Sequence, residues 1–515
     1  MSWTQIGSDF IGGATGDLLG TDVSLSADGT IMAVVSYYHV SDYSNENIIS
    51  IYEKSGASWS LIHTITAAAG EINFGRSLEL SGDGNRIAIG LKKSNEQNAV
   101  RVYENIGGIL TQVGIDINGI GGDGIDNTTS GWGTQVAINY DGTVIAGYMP
   151  NTSKGAIAVA TESSGTWTLG SVQTGETSGD NFGASISLSD DGDKIAVGAP
   201  EYGTSAGRAY IYPISGNTVG TVTVTKDGET NSDVFGTSVA ISSDGSYFIV
   251  GAREFSSGTG KVYVYDTVSG TAHRTAIVGL SSETSKAGST VDISNDGSII
   301  SFIDHQSDSI RVYEYSGSDY ALYGDAISIT DGDSAVSQIA LSSTNGSIVA
   351  YGTSTYDLGA AANSGVAAAY ENETLGNTTM CFIAGSIVKT DQGLVKIEDI
   401  KPGSTIDGLK IINLVSRVYC DDLIKIKQGA LGENIPNADT YVSQKHKFLY
   451  EDQLVRAKDL YKYHMTNRKK IVKISNTRTR IYNIMLEKYS IISVNGLEAE
   501  SLHNESDEWT KINTK

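Results

Sequence analysis

Between residues 19 and 35 apolar and polar positions alternate, break at an Asp-Gly pair, and resume as a mainly apolar run, LGTDVSLSADGTIMAVV. Alternation of this kind predicts a strand with one buried face. The Asp-Gly pair supplies the positive φ angles of a tight hairpin. The same pattern returns as FGRSLELSGDGNRIAIG (74–90), FGASISLSDDGDKIAVG (182–198) and FGTSVAISSDGSYFIVG (235–251). Looser copies occupy 132–147, 287–302 and 336–351. The turn glycines, Gly29, Gly84, Gly142, Gly192, Gly245, Gly297 and Gly346, recur about every 53 residues, a period that marks a repeat architecture.

Most units continue into a third run, such as ISIYEKSG, VRVYENIG, AYIYPISG or KVYVYDTVSG, and a fourth such as SWSLIHTIT or TWTLGSVQT. Four short antiparallel strands per repeat make the blade of a β-propeller. The last unit, ending AAAYENETLGNTTM, lacks a fourth strand, while Trp3-Thr4-Gln5-Ile6-Gly7 resembles the fourth-strand segment Leu110-Thr111-Gln112-Val113-Gly114. The expected fold is therefore all-β: a seven-bladed propeller over residues 1–376, closed by the N-terminal strand completing the last blade. Closure removes an exposed sheet edge.

The pattern FG..S.SLS.DG..IAVGAP...G..YIY resembles the FG-GAP-type repeats of integrin-like propellers and related secreted or virion proteins. That resemblance implies calcium in the propeller loops. Calcium needs six to eight shaped oxygen ligands. Neither Asp190-Asp191-Gly192-Asp193 nor Gly122-Asp123-Gly124-Ile125-Asp126 spaces its carboxylates in that order. The expectation is that these aspartates cap their own turns. His39, His63, His273 and His305 are scattered over different units without ligand spacing, and the tyrosines of the VYVY-type strands read as inter-blade packing. A propeller fixes no activity; the expected partner is a protein or glycan ligand.

Composition divides the chain. Of 36 Lys+Arg and 59 Asp+Glu, 15 and 42 precede residue 381, whereas 21 and 17 follow. The net charge of −23 thus resolves into −27 and +4. Both cysteines, Cys381 and Cys420, lie in the second part, with only 7 of 60 glycines. The acidic part repels nucleic acid and anionic membranes. No apolar run is long enough for a membrane span. The opening residues have neither a basic start nor an apolar stretch, so no cleavable signal is expected, and a surface, virion or secreted location would be reached by a signal-independent route. The boundaries read as a junction at 377–380, a second domain at 381–502 and a polar tail at 503–515.

The second part opens Cys381-Phe382-Ile383-Ala384-Gly385-Ser386. It continues through IVKTDQGLVKIEDIKPGSTI, GALGENIPNADTYVSQKHKFLY (429–450) and RIYNIMLEKYSIISVNGLEAESLHN (480–504). These four ordered blocks resemble the Hint (Hedgehog/intein) self-processing domain in its bacterial-type branch. A cysteine at the start of such a domain has its own nitrogen in the bond to be broken, so its thiolate attacks the preceding carbonyl without a bimolecular encounter. The scissile bond would be Met380–Cys381. The family's central Ser/Thr-x-x-His block falls on Ser443-Gln444-Lys445-His446. The resemblance therefore assigns His446 as the acid that protonates the leaving nitrogen and Ser443 as its hydrogen-bonding helper. No cofactor is implied. Cys420, in RVYCDDLIKI, reads as strand packing, and Arg468-Lys469-Lys470 as a solvated loop.

Two departures from the family stand out. His503-Asn504 is followed by Glu505 rather than a nucleophile, which argues against splicing. Asn483 and Tyr489 occupy positions where close relatives place histidines. The leading expectation is a single-turnover precursor that resolves its thioester with water or an external nucleophile, releasing or attaching the propeller. The alternative is a surface or virion-type binding protein whose Hint-like domain is degenerate and structural. A propeller hydrolase acting on an external substrate lacks a visible acid/base cluster.

Overall fold

The computed structural model describes residues 2–37, 47–93, 98–119, 133–149, 153–279, 285–315, 319–329, 336–344, 346–355, 357 and 363–372 of the first part. Of the second it describes 382–383, 386–401, 404–407, 409–419, 423–427, 436, 440–443, 447–450, 453–456, 471–474, 479–486, 491–494 and 497–500. The chain separates into two compact units, Met1–Asn372 and Glu373–Lys515.

The described strands of the first unit form seven antiparallel sheets of four to six strands, one for each repeat. In the fourth sheet the order runs Ser185–Leu188, Lys194–Ala199, Arg208–Ser215 and Thr218–Val219, following the chain. The seventh sheet differs in origin. Its strands Val336–Leu341, Ile348–Thr353 and Val366–Glu371 are completed by Thr4–Gln5 and Phe10–Ile11. Thr4 pairs with Glu371 and Gln5 with Tyr370. The unit is a β-propeller closed by its N-terminal strand.

Each Ser-x-Asp-Gly turn is built by its own side chains. Ser26 Oγ accepts the Ile31 amide and Asp28 Oδ1 accepts the Thr30 amide, both at 2.9 Å, while Gly29 takes φ 68°. Asp191 does the same work: Ser189 Oγ donates to it at 2.8 Å. Among the described residues no group of three or more His, Cys, Asp or Glu is arranged to hold a metal ion. Gly122–Asp126 lies outside the described residues, as does His39.

Neighbouring sheets meet face to face through apolar cores. Ala33, Val35, Ile49 and Ile51 of the first sheet pack with Phe74, Leu78, Leu80 and Ile89 of the second. Tyr210 and Tyr212 of the fourth sheet share a core with Ala137, Ala146, Ile157 and Val159 of the third, so these strand tyrosines do pack between blades. At the ring's seam Ile6, 2% exposed, joins Ala350, Ala367 and Ala369 of the last sheet to Val23, Met32 and Val34 of the first. The FG and VG glycines mark where blades touch backbone to backbone. A Cβ on Gly198 would stand 2.1 Å from the Gly236 carbonyl oxygen.

Seven backbone hydrogen bonds run from turn to turn around one end of the ring. Ala27 donates to Gly82, Asp83 to Tyr140, Tyr140 to Asp190, Asp190 to Ser243, Asp244 to Asn295, Asn295 to Ser343, and Thr344 back to Ala27, at 2.6–3.1 Å.

The second unit contains two antiparallel sheets. The first runs Thr405–Ile406, Leu409–Tyr419, Thr479–Leu486, Phe382–Ile383, Thr440–Ser443, Leu423–Ile426, Ile471–Ile474. The second runs Gly393–Lys396, Ile387–Thr390, Ile491–Val494, Leu497–Glu500, Lys447–Tyr450, Gln453–Arg456.

Two substitutions test this packing. Gly198→Ala forces adjacent backbones apart and should destabilise the propeller by about 2 kcal/mol or more in chemical denaturation. Ile6→Ala, which empties the seam, should cost about 2–4 kcal/mol. An unchanged midpoint for either would refute the contact it removes.

Candidate functional site

Phe382 occupies the middle of the seven-stranded sheet of the second unit. It pairs with Val442 on one side and Tyr482 on the other. Val442 in turn pairs with Ile424, and Tyr482 with Ser416. A two-residue strand held on both edges is fixed by its neighbours rather than by its own length, since an isolated pairing of that size has no independent stability. Three segments far apart in the chain are thereby brought into one ladder: the start of the domain, the Ser443 block and the RIYNIML strand.

Direction along the ladder matters for the chemistry. Because both pairings are antiparallel, Ser443 follows Val442 and Asn483 follows Tyr482 on the side from which the chain enters Phe382. Ser443 pairs with Leu423, and Asn483 with Val415. The sequence marked Asn483 only as a replacement for a histidine; its register beside the domain's first strand emerges from the pairing alone. Met380, Cys381, His446, Cys420 and Tyr489 lie outside the described residues.

The opening strand and the Ser443 strand also sit where the chain changes sheets. Phe382–Ile383 belongs to the seven-stranded sheet, and Ile387–Thr390 to the six-stranded one. Thr440–Ser443 and Lys447–Tyr450 are divided in the same way. Only three residues, including His446, separate Ser443 from Lys447. Ser386, at the foot of the first crossing, is buried, and its carbonyl accepts the Ile397 amide at 2.9 Å. Thr440, Ile426, Val388 and Val494 are buried close to complete exclusion of solvent. Phe382–Ile383 and Thr440–Ser443 are therefore adjacent strands of one sheet, each followed in the chain by a strand of the other.

Residues 380–506 match the family described as the Hint domain. The chain thus joins an N-terminal β-propeller to a C-terminal Hint domain. The search of curated proteins gives no match. Among solved structures, the Swd1 β-propeller domain of Myceliophteria thermophila aligns at 9% identity and TM-score 0.46, over 72% of this chain and 99% of that one. Hydrazine synthase of Kuenenia stuttgartiensis aligns at 12% identity and TM-score 0.44, over 67% and 94%. A 6-phosphogluconolactonase-like protein of Bacteroides uniformis, itself of unproven activity, aligns at 12% and 0.42, over 60% and 85%. Likenesses this distant say nothing about what the propeller binds. Among the described residues no helix is long and apolar enough to cross a membrane.

Proposed function

We propose that this protein is a self-processing precursor in which the Hint domain cleaves the chain at Met380–Cys381 and thereby releases the propeller or passes it to an acceptor. The observation that carries this reading is the family match beginning at residue 380, where a cysteine opens the domain directly before the strand held between Val442 and Tyr482.

The Cys381 thiolate adds to the Met380 carbonyl, and the tetrahedral intermediate collapses by breaking the C–N bond. His446 delivers a proton to the departing nitrogen, which becomes the free amine of Cys381, and Met380 is left as a thioester. The amide is the more stable of the two, so the step depends on that proton and on stabilising the oxyanion. Ser443 serves as the hydrogen-bonding helper of His446. Water then attacks the thioester, giving a Met380 carboxylate and the free Cys381 thiol; an external amine, thiol or hydroxyl takes water's place when the propeller is attached to something. No cofactor enters the sequence. The propeller is the binding module, with a protein or glycan as its ligand.

The FG-GAP character of the repeats supports a surface, virion or secreted setting for that module. The alternative, a structural Hint domain on a permanent binding protein, draws on Asn483 standing where relatives have histidine.

Intact-mass analysis of freshly folded protein under reducing conditions decides between them. The expected products are fragments of 380 and 135 residues, formed faster with hydroxylamine or added thiol. Cys381→Ala should leave only the full-length chain, and persistent cleavage in that variant would refute the assignment. His446→Ala should slow fragment formation by about 100-fold or more. Asn483→His should accelerate it by about tenfold or more if a second proton-transfer group at that register is what limits the rate.

A further inference from the structure

The inner strands of the propeller surround a central channel of about 350 Å³. Their edge N–H groups face the channel without a fifth strand to bond, so they need other acceptors. Side chains of the preceding blade supply them. Ser77 Oγ accepts the Val136 amide, Ser187 Oγ the Ile241 amide and Ser238 Oγ the Val291 amide, at 3.1–3.2 Å. Three further amides find a carboxyl instead, two of them beside a serine-bound amide of the same junction. Asp22 Oδ2 takes the Leu78 amide at 2.8 Å, Glu79 Oε2 the Ile138 amide at 2.7 Å, and Asp292 Oδ2 the Leu341 amide at 2.7 Å.

We infer that these three carboxyl groups form a proton-dependent latch: protonated, they hold successive blades together across the channel, and as they ionise the ring loosens. The inference concerns the propeller alone and stands or falls independently of the cleavage reaction.

The groups facing each carboxyl carry the argument. Asp22, 7% exposed, meets the amides of Leu78 and Val23 and the side chain of Gln338. Glu79 meets the Ile138 amide and the charges of Asp292, Asp22 and Asp190. Asp292 meets the amides of Leu341 and Ile293. Tyr140 also lines the channel, and among the described lining residues there is no Lys, Arg or His. Carboxyls crowded into one enclosed space with no cation cannot all ionise cheaply.

Burial is the main cause of the resulting shifts, opposed by the amide bonds. It pushes Asp22 up to about 7 and Asp292 to about 6; Glu79, pressed further by its acidic neighbours, rises to about 8. All three are raised above their unfolded values near ~4. The folded chain therefore binds more protons than the unfolded chain between about pH 4 and about pH 8, and stability falls as pH rises through that window. This is opposite to acid denaturation by broken surface pairs.

The test uses the full chain, with Cys381→Ala to hold it intact. Thermal unfolding of the propeller should shift downward by several degrees between about pH 5.5 and about pH 8.5. In a variant carrying Asp22→Asn, Glu79→Gln and Asp292→Asn, whose amide oxygens still accept the same bonds, the shift should shrink to less than half. An equal shift in both proteins would overturn the latch. Hydrogen exchange supplies a readout that needs no variant. After correction for intrinsic rates, the carboxyl-bound amides of Leu78, Ile138 and Leu341 should lose protection with rising pH more than the serine-bound amides of Ile241 and Val291, which lie at other junctions. Parallel loss in both sets would overturn it.

Discussion

The hydrogen bond from the Thr344 amide to the Ala27 carbonyl is the constraint on which the propeller depends. It completes a belt of seven turn-to-turn bonds, and its two ends lie more than 300 residues apart in sequence. Six of the seven bonds join consecutive repeats and form as cheaply as any neighbouring pair. The seventh forms only when every blade has turned through its share of the circle. Closing so long a loop is an entropic cost that the other six bonds do not carry. The structure offsets it at the same seam with two further devices: Thr4–Gln5 and Phe10–Ile11 pair with the last long strand, and Ile6 is buried between the last and first blades. The salt bridge between Lys54 and Glu371, 2.9 Å long, ties the first blade to the strand that the N-terminus zips. Closure is thus over-determined where it is most expensive.

Much of this was legible because each repeat must solve the same local problem with the same residues. The Ser-x-Asp-Gly motif is readable because serine and aspartate cap a turn whose glycine needs positive φ. The FG and VG dipeptides are readable for a different reason: a side chain at Gly198 or Gly236 would collide with the backbone of the facing blade. Even closure was foreshadowed, since Trp3–Gly7 had to look like a fourth strand in order to act as one. The channel was not legible. Asp22, Glu79 and Asp292 occupy positions that other repeats fill with Ser, Gln, Thr or Ala, so they leave no motif. Their shared task, accepting an amide from the next blade, appears only once the blades are placed side by side.

The second unit shows the reverse balance. Its four blocks identify the domain from sequence because their residues and their order match the Hint family. What no block reveals is that Phe382 lies between strands that follow it by about 60 and about 100 residues. That pairing gives Ser443 and Asn483 equivalent register on either side of the first strand. Hydrophobic alternation predicts that such strands exist, but it leaves their order in a sheet open, because any half-buried strand presents the same pattern to either neighbour.

The two halves of the chain make compatible demands. A propeller that is a compact unit of its own must complete its hydrogen bonding without its successor. In the propeller the last strand ends at Glu371, its partner Thr4 comes from the opposite end of the chain, and the Asn372 amide is already bonded to the Ser347 carbonyl at 2.8 Å. Every belt bond, seam contact and inter-blade core described for the ring lies within Met1–Asn372. Scission at Met380–Cys381 would break none of them. Had the last blade been completed by a strand downstream of residue 372, removal of the Hint domain would strip an edge from the ring. Drawing that strand from the N-terminus makes closure independent of the Hint domain.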